Sequence, residues 1–488
     1  MKRIHFILFA LLLSTAIDLC AQHRFAFRNG KFRIAQFTDI HWDQKSSNCA
    51  KTTAVIRQVI ATERPDIAIL TGDIVTERPA REGWQSIINI FEQAKLPFVV
   101  TMGNHDAEVM PKAEIYRQLM ASPYYAGSRG PESVSGYGNC TIPIYASDPA
   151  DKEAKAVLYC IDSNDYQSVK EYGEYDWIHF DQIQWYRQTS NDYTRTNAGR
   201  PLPSLAFFHI PLREYNNVVI ANQYLGNYLD GEVCASKVNS GMFAAFLDCK
   251  DVMGVFCGHD HQNDLIGMEF NVALAYGRVS GWDAYGDIRR GGRIIELYEN
   301  QRKFDTWVRT DQQREASFYY PSALTSDDEA RMTYLPAVTY TPAKHGVSYT
   351  YYEGKCKHTA DIAAAKKVKE GTMKNFSIEN ARQPDHFAYR FRTLVKIDRR
   401  GVYRFYTYSD DGTKLMIDGT TVVDNDGGHS ARRAEGKVAL EAGYHLLELL
   451  YFEDYMGQAL EVGYAGRDIP ETVLPDRLLF IPPTKIAP

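Results

Sequence analysis

Residues 98–106 have the sequence FVVTMGNHD, and this stretch decides how the rest of the chain is interpreted. The first four residues are apolar or β-branched and predict a short buried strand, and the Gly-Asn pair after them predicts a turn at its end. The turn carries an amide, an imidazole and a carboxylate in a row, at Asn104, His105 and Asp106. This concentration of metal-binding and proton-transferring groups makes the strand end a candidate functional site.

The segments on both sides of this stretch alternate between short apolar strands and amphipathic helices. Strands are predicted at 32–38, 67–70, 157–161, 204–208, 252–257 and 293–298, and helices at 53–62, 84–91, 181–188 and 241–248. Such alternation predicts parallel strands covered by helices on both faces. In sheets of this kind, ligands collect at the carboxyl ends of the strands.

The first residues predict a targeting segment. Lys2 and Arg3 precede an apolar run over 4–13, and cleavage is expected after Ala21, which gives a signal peptide over 1–21. Lipid attachment at Cys20 is disfavoured because Leu19 is bulky. No later apolar run approaches the roughly 20 residues of a membrane span. We therefore expect a soluble, exported protein, in the periplasm or secreted, without a transmembrane segment.

Length and charge bound the architecture and the partners. A chain of 488 residues predicts more than one domain. The net charge of −6, with no basic stripe to offset it, argues against nucleic acid as a partner.

Composition changes after about residue 310, where prolines and polar residues predict a linker over 311–342. Alternating strands near 389–397, 403–407 and 446–452 then predict an all-β sandwich, interrupted by a helix at 360–369.

Polar clusters recur at the predicted strand ends. They are Asp39 with His41, Asp73, Asn104 with His105 and Asp106, His209, and His259 with His261. Each cluster taken alone is better explained as a cap or a hydrogen-bonded histidine, but five of the 13 histidines fall on strand ends in this order. Carboxylate, imidazole and amide ligands suit Mn, Fe or Zn. No cysteine lies among the clusters, which argues against a structural zinc site.

These ordered motifs, Asp-Ile-His, Gly-Asp, Gly-Asn-His-Asp, a lone His and Gly-His-Asp-His, closely resemble those of calcineurin-like metallophosphoesterases. The resemblance covers about 31–298. HIPLREY at 209–215 and GHDHQND at 258–264 resemble the small purple-acid-phosphatase-like branch. The resemblance implies a four-layer α/β/β/α sandwich over 22–310. Thr76 stands where true purple enzymes have a metal-bound tyrosine, so a purple iron–tyrosinate centre is not expected.

The resemblance also implies two metal ions, of Fe, Mn or Zn, held by seven ligands that share one carboxylate. These are Asp39, His41 and His261 for one metal, Asn104, His209 and His259 for the other, and Asp73 as the bridge.

Two further residues of the turn receive catalytic roles from the same resemblance. His105 would stabilise the phosphoryl oxygens or protonate the leaving group. Asp106 would orient His105, and the alternative for Asp106 is a carboxylate that only stabilises the turn. Arg213 and Arg278 are weaker candidates for a substrate contact, and the loop at 277–290 is expected near the metals.

The predicted sandwich resembles the anthrax protective-antigen-type β-sandwich domain. The motifs lie at 349–354, 403–405, 409–412 (SDDG) and 415–419 (LMIDG), and we place the domain at 343–470 with a tail over 471–488. Such domains are often appended to glycan-active or adhesive proteins. Asp410, Asp411 and Asn425 are therefore candidate calcium or glycan ligands. The alternative is that Asp-Asp-Gly makes a tight turn between strands.

The sequence thus predicts an exported dinuclear-metal phosphoesterase with an appended glycan-binding module, acting on phosphomonoesters ahead of phosphodiesters. The alternatives are a glycan- or surface-binding protein with incidental phosphatase activity, and a phosphodiesterase or nuclease on the same scaffold. The acidic balance disfavours the nuclease.

Overall fold

A computed structural model describes residues 23–340, 342 and 344–483. The chain divides into two compact units, with the boundary between Tyr320 and Pro321. The predicted signal peptide, including Cys20, lies outside the described residues. In the part of the chain that the structure describes, none of the helices is long and apolar enough to span a membrane.

The described residues of the first unit form fourteen strands. They are β1 Phe25–Ala26, β2 Lys31–Phe37, β3 Ile67–Thr71, β4 Phe98–Thr101, β5 Cys140–Tyr145, β6 Ala154–Cys160, β7 Ser204–Phe207, β8 Tyr224–Leu225, β9 Val252–Cys257, β10 Ile266–Glu269, β11 Val272–Tyr276, β12 Gly291–Tyr298, β13 Phe304–Thr310 and β14 Arg314–Tyr320.

These strands make two mixed sheets. One has the order β1-β5-β6-β7-β9-β11-β10-β8, and the other contains β14-β13-β12-β2-β3-β4. Strands β2, β3 and β4 are parallel, as are β6, β7, β9 and β11, whereas β12, β13 and β14 join the second sheet in antiparallel pairs. The parallel centre of each sheet brings the carboxyl ends of β2, β3 and β4, and of β7 and β9, to the candidate site.

Helices cover the outer faces of both sheets. They are α1 Cys49–Glu63, α2 Ala80–Ala94, α3 Asp106–Val109, α4 Lys112–Leu119, α5 Phe180–Thr196, α6 Tyr215–Ile220 and α7 Met242–Cys249. The stripe of Trp84, Ile87, Ile88 and Phe91 turns one face of α2 into the core against β3 and β4. Helices α5 and α7 pack on the other sheet in the same way. Phe256 on β9 meets Phe304 on β13 between the sheets, which confirms the α/β/β/α order.

Within its described residues, the second unit is all-β apart from one short helix, α8 Ser326–Arg331, and two 3₁₀ turns at Thr359–Ala364 and Asp476–Leu478. Its strands are β15 Leu324–Thr325, β16 Tyr334–Leu335, β17 Val347–Glu353, β18 Lys366–Met373, β19 Phe387–Ile397, β20 Gly401–Asp410, β21 Thr413–Ile417, β22 Thr420–Asn425, β23 Arg432–Leu440, β24 Gly443–Glu453, β25 Ala459–Gly466, β26 Ile469–Val473 and β27 Leu479–Phe480.

Two of its sheets face each other across an aromatic core. Their orders are β16-β23-β20-β25-β26 and β18-β17-β19-β24-β21-β22, with β27 paired to β19. Tyr389 and Phe391 of β19 and Phe405 and Tyr464 of the facing sheet share one buried cluster. The predicted β-sandwich is therefore confirmed.

Several predicted boundaries are wrong. The linker predicted to begin at 311 includes β14, which is a strand of the first unit because it pairs along β13. The first unit continues past the strand predicted at 293–298, since β13 and β14 follow it. In the second unit, the predicted helix at 360–369 is a 3₁₀ turn followed by β18. The predicted tail contains β27, which pairs with β19.

Candidate metal centre

The site is built where five parallel strands end. Asp39 and His41 follow β2, Asp73 follows β3, Asn104 follows β4, His209 follows β7, and His259 and His261 follow β9. Backbone hydrogen bonds join the neighbouring turns, from Asp39 N to Gly72 O (3.1 Å), from His41 N to Asp73 O (2.9 Å) and from Gly258 N to His209 O (3.0 Å). Within each sheet, neighbouring ligand-bearing turns are thus held together.

Six of the seven predicted ligands form two groups of facing ligand atoms. Asp39, His41, Asp73 and His261 make one group, and Asp73, His209 and His259 make the other, each with its ligand atoms within 4.8 Å of one another. Asp73 belongs to both groups, as expected for a bridging carboxylate. Its Oδ2 lies 3.7 Å from His41 Nε2 and 3.2 Å from His209 Nε2.

Two ligand atoms support the assignment because they are buried without a hydrogen-bond partner among the described residues. They are His41 Nε2 and Asn104 Oδ1. Buried polar atoms are almost always paired, so two unpaired atoms at one strand edge fit a place for cations rather than poor packing. The seventh predicted ligand, Asn104, is in this set. The residues present therefore fit two metal ions.

Charge within the site favours cations. Burial lowers the pKa of His209, but the Asp73 carboxylate outweighs burial and raises it to about 10. Burial and the neighbouring His209 lower the pKa of His259 to about 3. Burial also lowers the pKa of His41, to about 4, against the opposing charge of Asp73. His41 and His259 are thus neutral at pH 7, the form of imidazole that binds metals.

Four of the ligands have left-handed backbone conformations. The φ angle is 51° at Asp39, 45° at His41, 52° at Asp73 and 83° at His259. Non-glycine residues adopt such angles at a cost of about 1 kcal/mol or more, and these residues cluster at functional sites. The strain lets each chain segment turn sharply as it leaves its strand, which directs the ligands to one point.

Two glycines leave room for the ligands. A Cβ on Gly103 would lie 2.2 Å from Asp73 Oδ1, and a Cβ on Gly72 would lie 2.4 Å from His209 Nδ1. Gly72 also has a φ of +82°. The opposite nitrogen of His209 faces the shared carboxylate of Asp73, because Nδ1–H donates to the Thr71 carbonyl oxygen over 2.8 Å.

The structure corrects the role predicted for Asp106. Its carboxylate is fully buried and accepts hydrogen bonds from the backbone N–H groups of Asp73 (3.0 Å), Ile74 (2.8 Å), Val75 (3.0 Å) and Gly103 (2.9 Å). All four bonds go to backbone, so Asp106 ties the turn after β3 to the turn after β4 rather than orienting His105. The turn-stabilising alternative is the correct one.

His105 has different partners. Its Nδ1 lies 3.1 Å from Glu108 Oε1 and 3.3 Å from the Tyr166 hydroxyl, and its backbone N–H donates to Asp73 Oδ1 over 2.9 Å. The side chain is partly exposed and lies edge-on to His41, with 5.7 Å between ring centroids. Glu108 lies about one helical turn after His105 in the chain, and its carboxylate thus holds the His105 imidazole in place.

Aromatic rings border the ligands, and sequence reasoning named Tyr285 but not Tyr175. Tyr175 meets the ring of His259 edge-on with 4.5 Å between centroids, and Tyr285 stacks on His261 at 3.9 Å. Tyr285 lies in the loop 277–290, so the prediction that this loop lies near the metals is confirmed. A polar run directly after β6, at 162–166, is the sequence signal that could have identified Tyr166.

The two arginine candidates lie elsewhere. Arg278 is buried and its Nε donates to Asp264 Oδ2 over 2.7 Å. Arg213 donates to the carbonyl of Lys237. Both guanidinium groups therefore have partners within the protein rather than at the metal centre.

A separate acidic cluster lies in the second unit, where Asp410, Asp411 and Glu453 bring their oxygens within 4.8 Å of one another. Glu453 was not predicted, and its Oε1 is buried without a partner among the described residues. Asn425 does not join this cluster as predicted, because its amide oxygen accepts from Arg432 Nε (2.9 Å) and its amide nitrogen donates to Ser409 Oγ (3.0 Å).

Comparison with known proteins gives two matching families. The family described as "Calcineurin-like phosphoesterase" matches residues 32–263, and the family described as "PA14 domain" matches residues 343–476. A relative from Arabidopsis thaliana named "Probable inactive purple acid phosphatase 29" is 31% identical over 57% of this chain and 80% of its own length. The Saccharomyces cerevisiae protein "Phosphatase DCR2" is 28% identical over 63% of this chain and 58% of its own length.

Among solved structures, a dimetal phosphatase from Danio rerio covers 59% of this chain and 98% of its own, at 11% identity and a TM-score of 0.42. The family match contains every ligand of the two groups, from Asp39 to His261. The plant relative extends this likeness over four fifths of its own length. The chain therefore belongs to the calcineurin-like phosphoesterase family.

Proposed function

We propose that this chain is an active, exported phosphoesterase of the purple-acid-phosphatase-like branch that hydrolyses phosphate esters with two metal ions. The observation that carries the proposal is the sharing of Asp73 between two groups of facing ligand atoms. A relative is named "probable inactive", but in this chain both groups keep every ligand and leave buried atoms unpaired.

Each residue has a defined task in this reaction. When bound, two ions of Fe, Mn or Zn activate a water molecule and offset charge on the phosphoryl group. Asp73 keeps the two ligand groups at a fixed separation. His105, which is not a ligand and faces the open side, donates a proton to the leaving oxygen. Glu108 accepts from Nδ1 of His105, so the other ring nitrogen is turned to the substrate.

The direct test is hydrolysis by protein loaded with each metal in turn and assayed with aryl and alkyl phosphomonoesters, phosphodiesters, phosphorylated sugars and nucleotides. We expect monoesters to be hydrolysed faster than diesters. His105→Ala should keep two metals and lose about 10²- to 10⁴-fold in turnover, since that is the usual contribution of a general acid. Protein that contains two metals and hydrolyses none of these esters would contradict the proposal.

Export is part of the proposal and rests on the targeting pattern over 1–21. Sequencing of the mature protein from a cell fractionation should find Gln22 as its first residue. Full-length protein in the cytoplasmic fraction would count against export.

We also propose that the second unit binds calcium and, through it, a glycan. The Asp410, Asp411 and Glu453 cluster supports this, because burial, Asp411 and Asp410 raise the pKa of Glu453 to about 8. Three such carboxyl groups gathered together suit a hard cation with oxygen ligands. Calcium titration of the full chain should show one site that is lost in Glu453→Gln, and glycan-array binding should require calcium. Unchanged calcium binding in that variant would exclude the cluster.

A further inference from the structure

A tyrosine hydroxyl lies beside the predicted proton donor. Tyr166 is carried by the loop between β6 and α5, and its hydroxyl oxygen accepts from Asn104 Nδ2 over 2.9 Å. The same hydroxyl lies 3.3 Å from His105 Nδ1, and the ring is 39% exposed. Tyr166 thus contacts one predicted metal ligand and the predicted general acid, and it reaches the open side of the site.

The hydrogen bonds determine where the Tyr166 proton points. A carboxylate only accepts, so the contact with Glu108 places a proton on His105 Nδ1. Nδ1 therefore cannot accept from Tyr166, and Asn104 already donates to the tyrosine oxygen. The Tyr166 proton is therefore left for the Glu108 carboxylate, which is also within reach, or for an oxygen of the substrate.

The loop holds this hydroxyl in a fixed place. Tyr166 forms an antiparallel bridge with Tyr175, and the two rings stack with 6.0 Å between centroids. Backbone bonds from Gln167 N to Glu174 O (2.7 Å) and from Asp176 N to Asp165 O (2.9 Å) close the loop on itself. The nearly buried Lys112 ammonium anchors its base, 2.7 Å from Asp165 Oδ1 and 2.9 Å from Asp162 Oδ2.

We propose that Tyr166 is a further catalytic residue, whose hydroxyl donates a hydrogen bond to a non-bridging phosphoryl oxygen while Asn104 holds it and His105 serves the leaving oxygen. The inference rests on the proposed phosphoesterase function. In this proposal Tyr166 donates to the phosphoryl group that is transferred, and His105 donates to the leaving group.

The test compares Tyr166→Phe with the unaltered full-length protein, both loaded with metal. Loss of a preorganised donor to a charged oxygen costs about 10²-fold in turnover. We expect this loss to be equal for aryl and alkyl phosphates, because a non-bridging oxygen is common to all of them. His105→Ala should instead affect the alkyl phosphates, with their poorer leaving groups, more than the aryl phosphates.

Binding of inorganic phosphate gives a readout that does not depend on turnover. Titration calorimetry should show affinity about tenfold weaker in Tyr166→Phe, in line with one lost hydrogen bond to a charged group, with both metals retained. The matched control is Tyr172→Phe in the same loop, whose exposed ring packs only at Trp177 among the ring contacts described. It should match the unaltered protein in every measurement.

The outcomes separate this inference from the proposed function. If the unaltered protein binds phosphate but hydrolyses no ester, the proposed function fails, and weaker phosphate binding by Tyr166→Phe still supports the donor role. Unchanged turnover and phosphate affinity in Tyr166→Phe would overturn the inference. Loss of metal from Tyr166→Phe would also overturn it, as would a loss of turnover in that variant that grows as the leaving group becomes poorer. An unaltered metal-loaded protein that binds no phosphate would overturn it as well.

Discussion

Gly103 shows how narrowly a single position limits the metal centre. The backbone of this residue approaches Asp73 so closely that a methyl group would overlap the carboxylate that both ligand groups share. The next residue supplies the amide ligand, so a backbone shift that relieves the overlap also moves Asn104. The site therefore tolerates no side chain at this position.

Gly103→Ala should lose at least one of the two metals and nearly all turnover. The reason is steric, because a Cβ 2.2 Å from Asp73 Oδ1 must displace the bridging carboxylate. Metal analysis after gel filtration measures the effect. Gly30→Ala is the control, because a Cβ there meets no atom within 4 Å. Its φ of +72° adds backbone strain without a steric overlap. Full metal content in Gly103→Ala would show that the turn can move without cost to the site.

Asp106→Ala should destabilise the protein by about 3 kcal/mol or more, because four buried backbone N–H groups lose their acceptor. Asp106→Asn keeps one carbonyl oxygen and should cost less. Denaturant unfolding of the metal-free proteins measures both. If Asp106→Ala were as stable as the unaltered protein but lost activity to the same extent as His105→Ala, the original assignment of Asp106 to His105 would be restored.

At the scale of elements, the loop after β6 is held by one ammonium group. Lys112 at the start of α4 faces two carboxylates, and their charge raises its pKa above the ordinary value although burial opposes this. The contribution of helix α4 to the site is to fix the loop that carries Tyr166.

Lys112→Met should lower turnover about tenfold with both metals retained, because Asp162 and Asp165 would repel each other and displace the loop. A buried charge left without its partner also costs about 3 kcal/mol of stability. Kinetics, metal analysis and thermal unfolding together test this. Lys155→Met is the matched control, since it breaks the Lys155–Asp151 ion pair at the surface and should leave activity unchanged. Activity retained by Lys112→Met would mean that the loop is fixed by its backbone bonds alone.

Sequence pattern predicted some elements better than others for physical reasons. Strand β9 was predicted with its observed bounds because an unbroken apolar run lies between Asp251 and Gly258. Helix α5 was predicted only over 181–188, yet it continues to Thr196. Its buried face includes Gln182 and Ser190, which hydrogen bond inside the protein, so hydrophobic periodicity could not reveal it.

At the metal centre, too, the sequence pattern could not reveal contacts that form only in the folded protein. The polar clusters were predicted to meet because parallel strands deliver whatever follows their carboxyl ends to one edge, and the family resemblance then implied which of these residues are ligands. The direction of a carboxylate is not set by its neighbour in sequence, which is why Asp106 was assigned to His105. Tyr166 follows a predicted strand by the same rule as the ligands, but its partners Asn104 and Glu108 become neighbours only through the fold.

For the molecule as a whole, the division at Tyr320 allows each unit to be tested by itself. Residues 23–320 contain strands β1 to β14, all the helices that cover them and every ligand of the two metal groups. We expect this fragment to fold, bind two metals and keep the turnover of the full chain on small phosphate esters, because each unit has its own buried core. Circular dichroism, metal analysis and kinetics measure this.

The complementary measurement uses macromolecular substrates. If the second unit serves attachment, the fragment should lose activity only on phosphate esters that are linked to a glycan. A fragment that folds but loses activity on small esters as well would show instead that the second unit contributes to catalysis.

We expect the left-handed backbone at Asp39, His41, Asp73 and His259 to make the lifetime of the protein depend on metal supply. In the metal-free chain the hydrogen bonds of the turns alone offset this strain, whereas each ion that binds favours the closed strand ends. Proteases that cleave opened segments would therefore remove the metal-free chains first. The amount of protein that survives should then follow the metal content of the surroundings.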